Sequence, residues 1–300
     1  MTEYFIVAGH GFRLTLPAKF PLWATLDNYE PFRTEEAETV FALTLEESAG
    51  RDEEEGEWES VLVSNEGPGE PVIDLYRREG QWKFEMAPVS GMPVSGSLVC
   101  DEGFREGVLR ILDKHHGRFC IDNSLMIMYA FRTAGLGTLE MHASVTVRDG
   151  EGYLFLGHSG AGKSTHSRLW REHLPGSTLL NDDNPIVRVL PDGEIRVYGS
   201  PWSGKTPCYN NASAPVAAFV RIVQAPQNRI VRCTTVQAYA QLYSSCSGLK
   251  GEDGLADVFH ATLERVVGAV PGYVLECRAD REAALVCSEG IRKDREGLKG

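Results

Sequence analysis

A glycine-rich segment at residues 157–165 has the residue types and the spacing that bind phosphate. It reads GHSGAGKST, which matches the phosphate-loop pattern G-x-x-x-x-G-K-[ST] at every fixed position. Glycines permit a tight turn in which successive backbone N–H groups point inward at an anion. The predicted phosphate-binding residues are Gly157, Ser159, Gly160, Ala161, Gly162, Lys163, Ser164 and Thr165. The pattern therefore predicts that the chain binds a nucleotide through its phosphates.

Two side chains of this loop have separate predicted tasks. Lys163 would reach the β- and γ-phosphates of ATP, and the Ser164 hydroxyl would ligate Mg²⁺. The flanking segments support this interpretation, because residues 152–156 have the character of a buried strand and residues 167–174 place apolar side chains at near-helical spacing. A helix that begins near Gly162 would also direct its positive N-terminal dipole at the phosphates. The alternative is a glycine-rich turn with a fortuitous Lys-Ser pair, which this context disfavours.

Two adjacent carboxylates follow the loop after room for one helix and one turn. Asp182 and Asp183 end a short apolar segment that begins at Thr178. Carboxylates at a strand end near a phosphate loop can ligate Mg²⁺, directly or through water, or accept the proton of an attacking hydroxyl. The alternative is turn chemistry, since NDDNP is also a sequence that loops prefer. The phosphate loop upstream favours catalysis by Asp182 and Asp183, with both as metal ligands beside Ser164.

A second glycine-containing segment, GSPWSGK, ends at Lys205. It follows a hairpin predicted at residues 186–198. Glycine allows a ligand to approach the backbone, and Lys205 would supply a second ammonium to neutralise charge on a transferring group. Taken alone, the segment fits a turn with a surface lysine better than a functional loop.

Composition restricts the class of partner. The 300 residues include 42% hydrophobic ones, enough for one large or two modest domains. The net charge of −12 and the pI near 5.2 argue against nucleic acid or an anionic membrane as the main partner. No run of 18 apolar residues and no basic N-terminal segment is present, so we expect neither a spanning helix nor an export signal. Seven widely spaced cysteines are typical of reduced thiols, which predicts a cytoplasmic location.

The remaining patterns predict the architecture. Extended pairs predict hairpins at residues 5–16 and 72–86, and an Asp-Gly turn at 149–150 predicts an antiparallel neighbour for the strand that enters the phosphate loop. This neighbour argues for a mixed sheet rather than a parallel one. The chain is also predicted to contain a buried strand at 215–223. Helices are predicted at 101–112, 122–131, 235–246 and 254–267. We therefore expect an α/β (α+β) protein with a β-rich region at 1–100, a helical linker at 101–136 and a phosphate-loop domain at 137–300.

Four segments together resemble the HPr kinase/phosphorylase-related P-loop kinases. They are the strand that contains His142, GHSGAGKST, LNDDN at 180–184 and GSPWSGK at 199–205. The nucleotide-binding fold of those kinases is similar to that of ATP-dependent phosphoenolpyruvate carboxykinase. The resemblance covers roughly residues 137–290 and implies that fold, with a mixed sheet, for this part of the chain.

The resemblance also implies roles for individual residues. Lys163 and Ser164 match the phosphate and metal positions, and Asp182 and Asp183 match the acidic pair that binds metal and handles the acceptor proton. His142 and Lys205 are expected to take part in catalysis. The implied cofactors are ATP and Mg²⁺, and the implied partner is a hydroxyl-bearing small molecule, peptide or protein. A homo-oligomer is compatible with this interpretation.

Two departures from the family narrow the expected activity. Thr165 stands where HPr kinases carry Glu, and the first hundred residues do not match the HPr kinase N-terminal domain. Both departures argue against HPr itself as the substrate. Two alternative functions stay open. The first is a regulatory module that binds ATP without transferring phosphate, and the second is a phosphoenolpyruvate carboxykinase. The second is disfavoured because carboxykinases are much longer chains.

Overall fold

Two units, each built on a mixed sheet, make up the protein. The computed structural model describes residues 1–46, 57–63, 70–204, 206–248 and 255–297. The first unit is Met1–Arg132 and the second is Thr133–Gly300. The protein is therefore of the mixed α/β class, as predicted. Among the residues described, no helix is both long and apolar enough to span a membrane.

The first unit is a sheet with one short and one long α-helix among its described residues. Its described strands are β1 Thr2–Val7, β2 His10–Thr15, β3 Arg33–Thr34, β4 Thr39–Glu46, β5 Glu59–Leu62, β6 Val72–Arg78, β7 Gln81–Ala87, β8 Gly96–Asp101 and β9 Glu106–Ile111. They lie in the order β3-β1-β2-β4-β9-β8-β7-β6-β5. β4 is parallel to β2 and β9, and the other pairs are antiparallel. The α-helices among the described residues of this region are α1 Leu22–Thr25 and α2 Gly117–Thr133.

The hairpins predicted in this region are present, but one predicted helix is wrong. Residues 101–112 form the end of β8 and the strand β9 instead. Asp101 does accept backbone hydrogen bonds, from the N–H groups of Arg105 at 2.6 Å and Glu106 at 2.8 Å. These bonds close the turn between two strands rather than cap a helix. The apolar spacing after Phe104 suits both structures, and pairing with β4 and β8 selects the strand.

The second predicted helix of this region is α2, which begins at Gly117, earlier than the predicted cap at 122 or 123. The segment predicted as a helical linker thus holds a strand as well as a helix. The division into domains at residues 100 and 136 stays a prediction.

The second unit contains the phosphate-loop sequence. Its described strands are β10 Thr138–Glu140, β11 Ala143–Arg148, β12 Glu151–Leu156, β13 Thr178–Asp183, β14 Ile186–Val189, β15 Ile195–Tyr198, β16 Ser213–Gln224, β17 Arg229–Arg232 and β18 Gly272–Cys277. Its described α-helices are α3 Lys163–His173, α4 Thr235–Ser245, α5 Leu255–Ala269 and α6 Arg281–Gly297. The strand order is β10-β14-β15-β16-β12-β11-β13, and β18 pairs with both β16 and β17. The predicted hairpins β11–β12 and β14–β15 and the predicted helices α4 and α5 are confirmed.

Different helices cover the two faces of this sheet. Side chains alternate along β12, so Leu154 and Leu156 pack in one core and Phe155 packs in the other. The core of Leu154 includes residues of α4 and α5, such as Leu242 and Phe259. The core of Phe155 includes residues of α3 and α6. The phosphate loop therefore leaves a strand that is buried on both faces, which gives the loop a rigid base.

Candidate active site

The phosphate-loop segment joins β12 directly to α3. The strand ends at Leu156 and the helix begins at Lys163, so the predicted order of strand, loop and helix is present. Gly160 and Gly162 have φ angles of +77° and +109°. Side chains with a Cβ rarely adopt these angles, which explains why the turn needs glycine at both positions. Phosphate binding by this loop stays a prediction.

The Lys163 ammonium is folded back over the loop. Its Nζ donates hydrogen bonds to the carbonyl oxygens of Gly157 at 3.0 Å and His158 at 3.3 Å. The side chain is largely buried, with 8% of the residue exposed. Burial lowers the pKa of Lys163, and the negative charges of Asp183 and Asp182 act in the opposite direction. Lys163 thus lies within electrostatic reach of both carboxylates.

Strand pairing brings Asp183 to the edge of the sheet where the phosphate loop begins. Asp183 pairs with Ala143 of β11, and Ala143 pairs with Leu156 of β12. Two strand spacings of about 4.8 Å separate Asp183 from the residue that precedes the loop. Because β12 and β13 are both antiparallel to β11, they run parallel and end at one edge. The strands β16 and β18, parallel to β12, end there too.

Asp182 is buried and lies on the face of the sheet that α3 covers. It pairs with Ser144, whose Oγ is 2.6 Å from Oγ of Ser167 in α3. Residues that pair directly across two strands share a face, so Asp182 faces the same helix. Ser164 is exposed in the first turn of this helix, and Thr165 is half-buried. The arrangement places a carboxylate and a hydroxyl on the same side of the sheet.

Asp183 differs from its neighbour in exposure and in backbone conformation. Its side chain is 37% exposed, and its Oδ1 lies 3.2 Å from Nε2 of His142, which is 45% exposed. The φ angle of Asp183 is +142°, a value that non-glycine residues rarely adopt. The backbone N–H of His142 donates to the carbonyl of Ser245 at the end of α4, at 2.7 Å. His142 and Asp183 therefore form an accessible pair with an anchored histidine.

The segment 199–204 lies beside Asp183 and is joined to the end of β13 by backbone pairing. Ser203 forms an isolated antiparallel bridge with Asp183, and the N–H of Gly204 donates to the carbonyl of Asp182 at 2.7 Å. A Cβ at Gly204 would lie 3.2 Å from the side chain of Asp183, so glycine is the residue that leaves room for this carboxylate. Lys205, which follows, lies outside the described residues. Its catalytic role stays a prediction.

Asn181 is a supporting residue that the sequence interpretation missed. It is fully buried, and its Nδ2 donates to Oγ of Ser200 at 3.2 Å and to the carbonyl of Trp202 at 3.0 Å. Its Oδ1 accepts a hydrogen bond from the N–H of Asn184 at 3.0 Å. One amide thus joins the end of β13 to the segment 199–204. The available signal was an amide side chain at a position that continues an apolar strand.

The described residues fit a divalent cation that takes some of its ligands from the protein and the rest from a nucleotide and water. They contain no group of three or more His, Cys, Asp or Glu side chains arranged to hold a metal alone. In nucleotide sites Mg²⁺ usually takes one or two protein ligands together with phosphate oxygens and waters. The exposed Ser164 hydroxyl and the Asp182 carboxylate match that donor set. Metal binding by Ser164 and Asp182, like phosphate binding by the loop, stays a prediction.

Comparisons with known proteins leave the family open. No protein-family model matches the chain, and no curated protein matches it. Among solved structures, the chain is similar to the Hpr(Ser) kinase/phosphatase from Coxiella burnetii, with 15% sequence identity and a TM-score of 0.32. The alignment covers 54% of this chain and 99% of that chain. A TM-score this low does not establish a shared fold or a shared activity.

Proposed function

We propose that the protein is a kinase that transfers the γ-phosphoryl group of Mg-ATP to a hydroxyl group. One observation carries the proposal, which is that the strand ending in Asp182 and Asp183 and the strand leading into the loop of Lys163 end at the same edge of the sheet, two strand spacings apart. A triphosphate held by the loop would have its terminal phosphate between an ammonium and two carboxylates. That arrangement meets the needs of phosphoryl transfer, in which positioning and charge neutralisation do most of the work.

The phosphates would bind along residues 157–165. Their oxygens would accept hydrogen bonds from backbone N–H groups and from Lys163, whose ammonium would exchange the carbonyls of Gly157 and His158 for the β- and γ-phosphates. Ser164 and Asp182 would hold Mg²⁺. When bound, this ion would neutralise charge on the β- and γ-phosphate oxygens.

We assign Asp183 as the carboxylate that takes the proton from the hydroxyl of the phosphoryl acceptor. It is more exposed than Asp182, and His142 at 3.2 Å would hold its orientation. In the transfer, the acceptor oxygen forms a bond to the γ-phosphorus while the bond from that phosphorus to the β–γ bridging oxygen breaks. The acceptor proton passes to Asp183, and ADP is the leaving group. Lys205 would contribute a second positive charge to the transferring group.

The proposal also covers the type of domain, the acceptor and the location of the activity. The four motifs that resemble HPr kinase-related enzymes support a nucleotide-binding domain of the phosphoenolpyruvate carboxykinase type at 137–300. They also support an acceptor that is a serine in a protein or peptide, or a small molecule with a hydroxyl. We place this activity in the cytoplasm, with neither nucleic acid nor a membrane as partner, and homo-oligomer formation is compatible with it.

The decisive experiment looks for new phosphate esters. The protein is incubated with Mg-ATP and an extract of metabolites and peptides, and the products are identified by mass spectrometry. We expect a phosphorylated product with wild type, and a loss of at least roughly 100-fold with Asp183→Asn, because the proton acceptor is removed. ATP affinity should stay within about threefold. Asp149→Asn is the matched control, since Asp149 is an exposed carboxylate in the β11–β12 turn.

Other outcomes would assign other functions. ATP binding without any transfer by wild type would identify a regulatory module. ATP consumption that depends on oxaloacetate and releases CO₂ would identify a carboxykinase. Unchanged ATP binding in Lys163→Ala would refute the proposal that residues 157–165 bind the phosphates.

A further inference from the structure

A cleft of about 580 Å³ adjoins the phosphate loop on the side away from Asp182 and Asp183. Its walls come from the loop, α3, the end of β16 and the segment after β18. Six of the residues that line it are Thr165, His166, Leu169, Ile222, Cys277 and Ala279. Nε2 of Gln224 donates to the carbonyl of Gly160 at 3.1 Å and so ties the end of β16 to the loop. The cleft and the phosphate loop are therefore one continuous surface.

The strand order separates this cleft from the acidic pair. The sheet runs β13-β11-β12-β16-β18 across the edge where these strands end or begin. With about 4.8 Å between strands, β13 and β18 each lie about 10 Å from β12, on opposite sides. A phosphate chain that crosses the loop from β13 thus leads toward β16 and β18. The span of four strand spacings is comparable with an extended nucleoside triphosphate.

The chemistry of the cleft walls suits an uncharged, flat group. Leu169, Ile222 and Cys277 contribute buried apolar surface, and burial raises the pKa of the Cys277 thiol to about 11, so it is neutral at pH 7. Arg278 on the rim is engaged by Asp280 and Glu282, each at 2.9 Å. Apolar walls with few polar groups are typical of sites that bind organic ring systems. A further phosphate would find no unshared cation among these wall residues.

His166 is one of the residues that line the cleft, and its side chain is buried. Its Nε2 accepts a hydrogen bond from Nε1 of Trp170 at 3.0 Å, so the proton of the neutral ring is assigned to Nδ1. This Nδ1 has no hydrogen-bond partner among the described residues. A buried donor without a partner therefore lies in a residue that lines the cleft.

We propose that this cleft holds the nucleoside end of the nucleotide, with the base between α3 and the ends of β16 and β18. The inference rests on the proposed function, because it places the other end of the same ligand. It adds a prediction that the phosphate loop alone does not make. Binding of ATP should depend on the cleft, whereas binding of a bare phosphate chain should not.

The test compares ATP with inorganic tripolyphosphate, both with Mg²⁺, on wild type and on Ala279→Trp. Ala279 is exposed at the cleft, so the indole can occupy the cleft without disturbing the core. We expect the Kd for ATP to rise at least tenfold and the Kd for tripolyphosphate to stay within twofold. Ala261→Trp is the matched control, since Ala261 is exposed on α5, which packs on the other face of the sheet.

A second measurement needs no variant. Hydrogen–deuterium exchange of wild type should show protection of residues 222–225 and 277–279 with ATP and not with tripolyphosphate. Equal ATP affinity of Ala279→Trp and wild type, or equal protection by the two ligands, would overturn the inference and leave the proposed function intact. If wild type binds neither ligand, the proposed function fails and the inference fails with it.

Discussion

The side-chain amide of Asn181 donates a hydrogen bond to the carbonyl oxygen of Trp202 at 3.0 Å. Through this bond, the strand that ends in the acidic pair fixes the segment that supports Asp183. Asn181→Ala removes the bond together with those to Ser200 and Asn184. Buried groups left without partners cost about 1–3 kcal/mol each, so we expect the free energy of unfolding to fall by about 2–4 kcal/mol.

Urea denaturation measures this loss, and the transfer assay should show a larger fall in kcat than in ATP affinity. Asn123→Ala provides the comparison, because the side chain of the half-buried Asn123 donates one hydrogen bond within the described part of the chain, to the carbonyl of Phe119 at 2.8 Å. It should cost about 1 kcal/mol. Equal destabilisation by the two changes would contradict a special role for Asn181.

His142 and Asp183 should act as a coupled pair. His142→Phe removes the ring nitrogen that lies 3.2 Å from Asp183, so the carboxylate loses its orientation. We expect kcat to fall roughly tenfold or more, with ATP affinity unchanged. In the double variant with Asp183→Asn, the histidine change should have almost no further effect. His173→Phe, at the end of α3, is the matched control, and additive effects in the double variant would refute the coupling.

A single methyl group at Gly204 should disturb catalysis without unfolding the protein. The added Cβ would lie 3.2 Å from the Cβ, Cγ and Oδ2 atoms of Asp183, which must then move by a few tenths of an ångström. Small displacements of reacting groups are costly, and we expect Gly204→Ala to lower kcat about threefold to tenfold. Thermal melting should change little. Gly297→Ala is the control, because nothing lies within 4 Å of that methyl position.

Gly199 should be essential for a different reason. A Cβ at this position would lie 1.9 Å from the carbonyl oxygen of Asn210, a backbone atom that cannot move aside alone. We expect Gly199→Ala to destabilise the protein by about 3 kcal/mol or more and to displace the segment 199–204. By contrast, Gly268→Ala in α5 meets no atom within 4 Å and should stabilise the protein by about 0.5–1 kcal/mol. Chemical denaturation of both variants tests the contrast.

Local features of this fold were predictable from the sequence, and long-range ones were not. The strand, loop and helix around Lys163 and the hairpin that ends at Leu156 follow from turn residues and side-chain periodicity over short distances. The pairing of β13 with β11, which brings Asp183 within two strands of the loop, joins segments that are far apart in the chain. Nothing in the local pattern specifies that partner.

Two particular residues show where sequence patterns are insufficient. Val108 belongs to an apolar pattern that fits a helix or a strand, and the neighbouring strands decide between them. Asn181 is a polar residue whose importance depends on three partners that become its neighbours only after folding. The sequence predicted a role for the acidic residues that follow Asn181, and that role stays a prediction, but it gave no prediction for Asn181 itself.

Stability should decline in acid because of His166. Its folded pKa is about 4 owing to burial, whereas the unfolded value is near 6.5, so only the unfolded state takes up the proton between these values. The contribution of neutral His166 to the free energy of unfolding is complete above pH 6.5. It falls by roughly 3 kcal/mol as the pH is lowered to 4. Urea denaturation at pH 7.5 and 4 should therefore show a smaller pH dependence for His166→Phe than for wild type. Carboxylates titrate equally in wild type and in His166→Phe, so they do not affect the comparison. His158→Phe, at an exposed loop position, is the control and should keep the wild-type pH dependence. An unchanged pH dependence in His166→Phe would contradict a neutral buried imidazole.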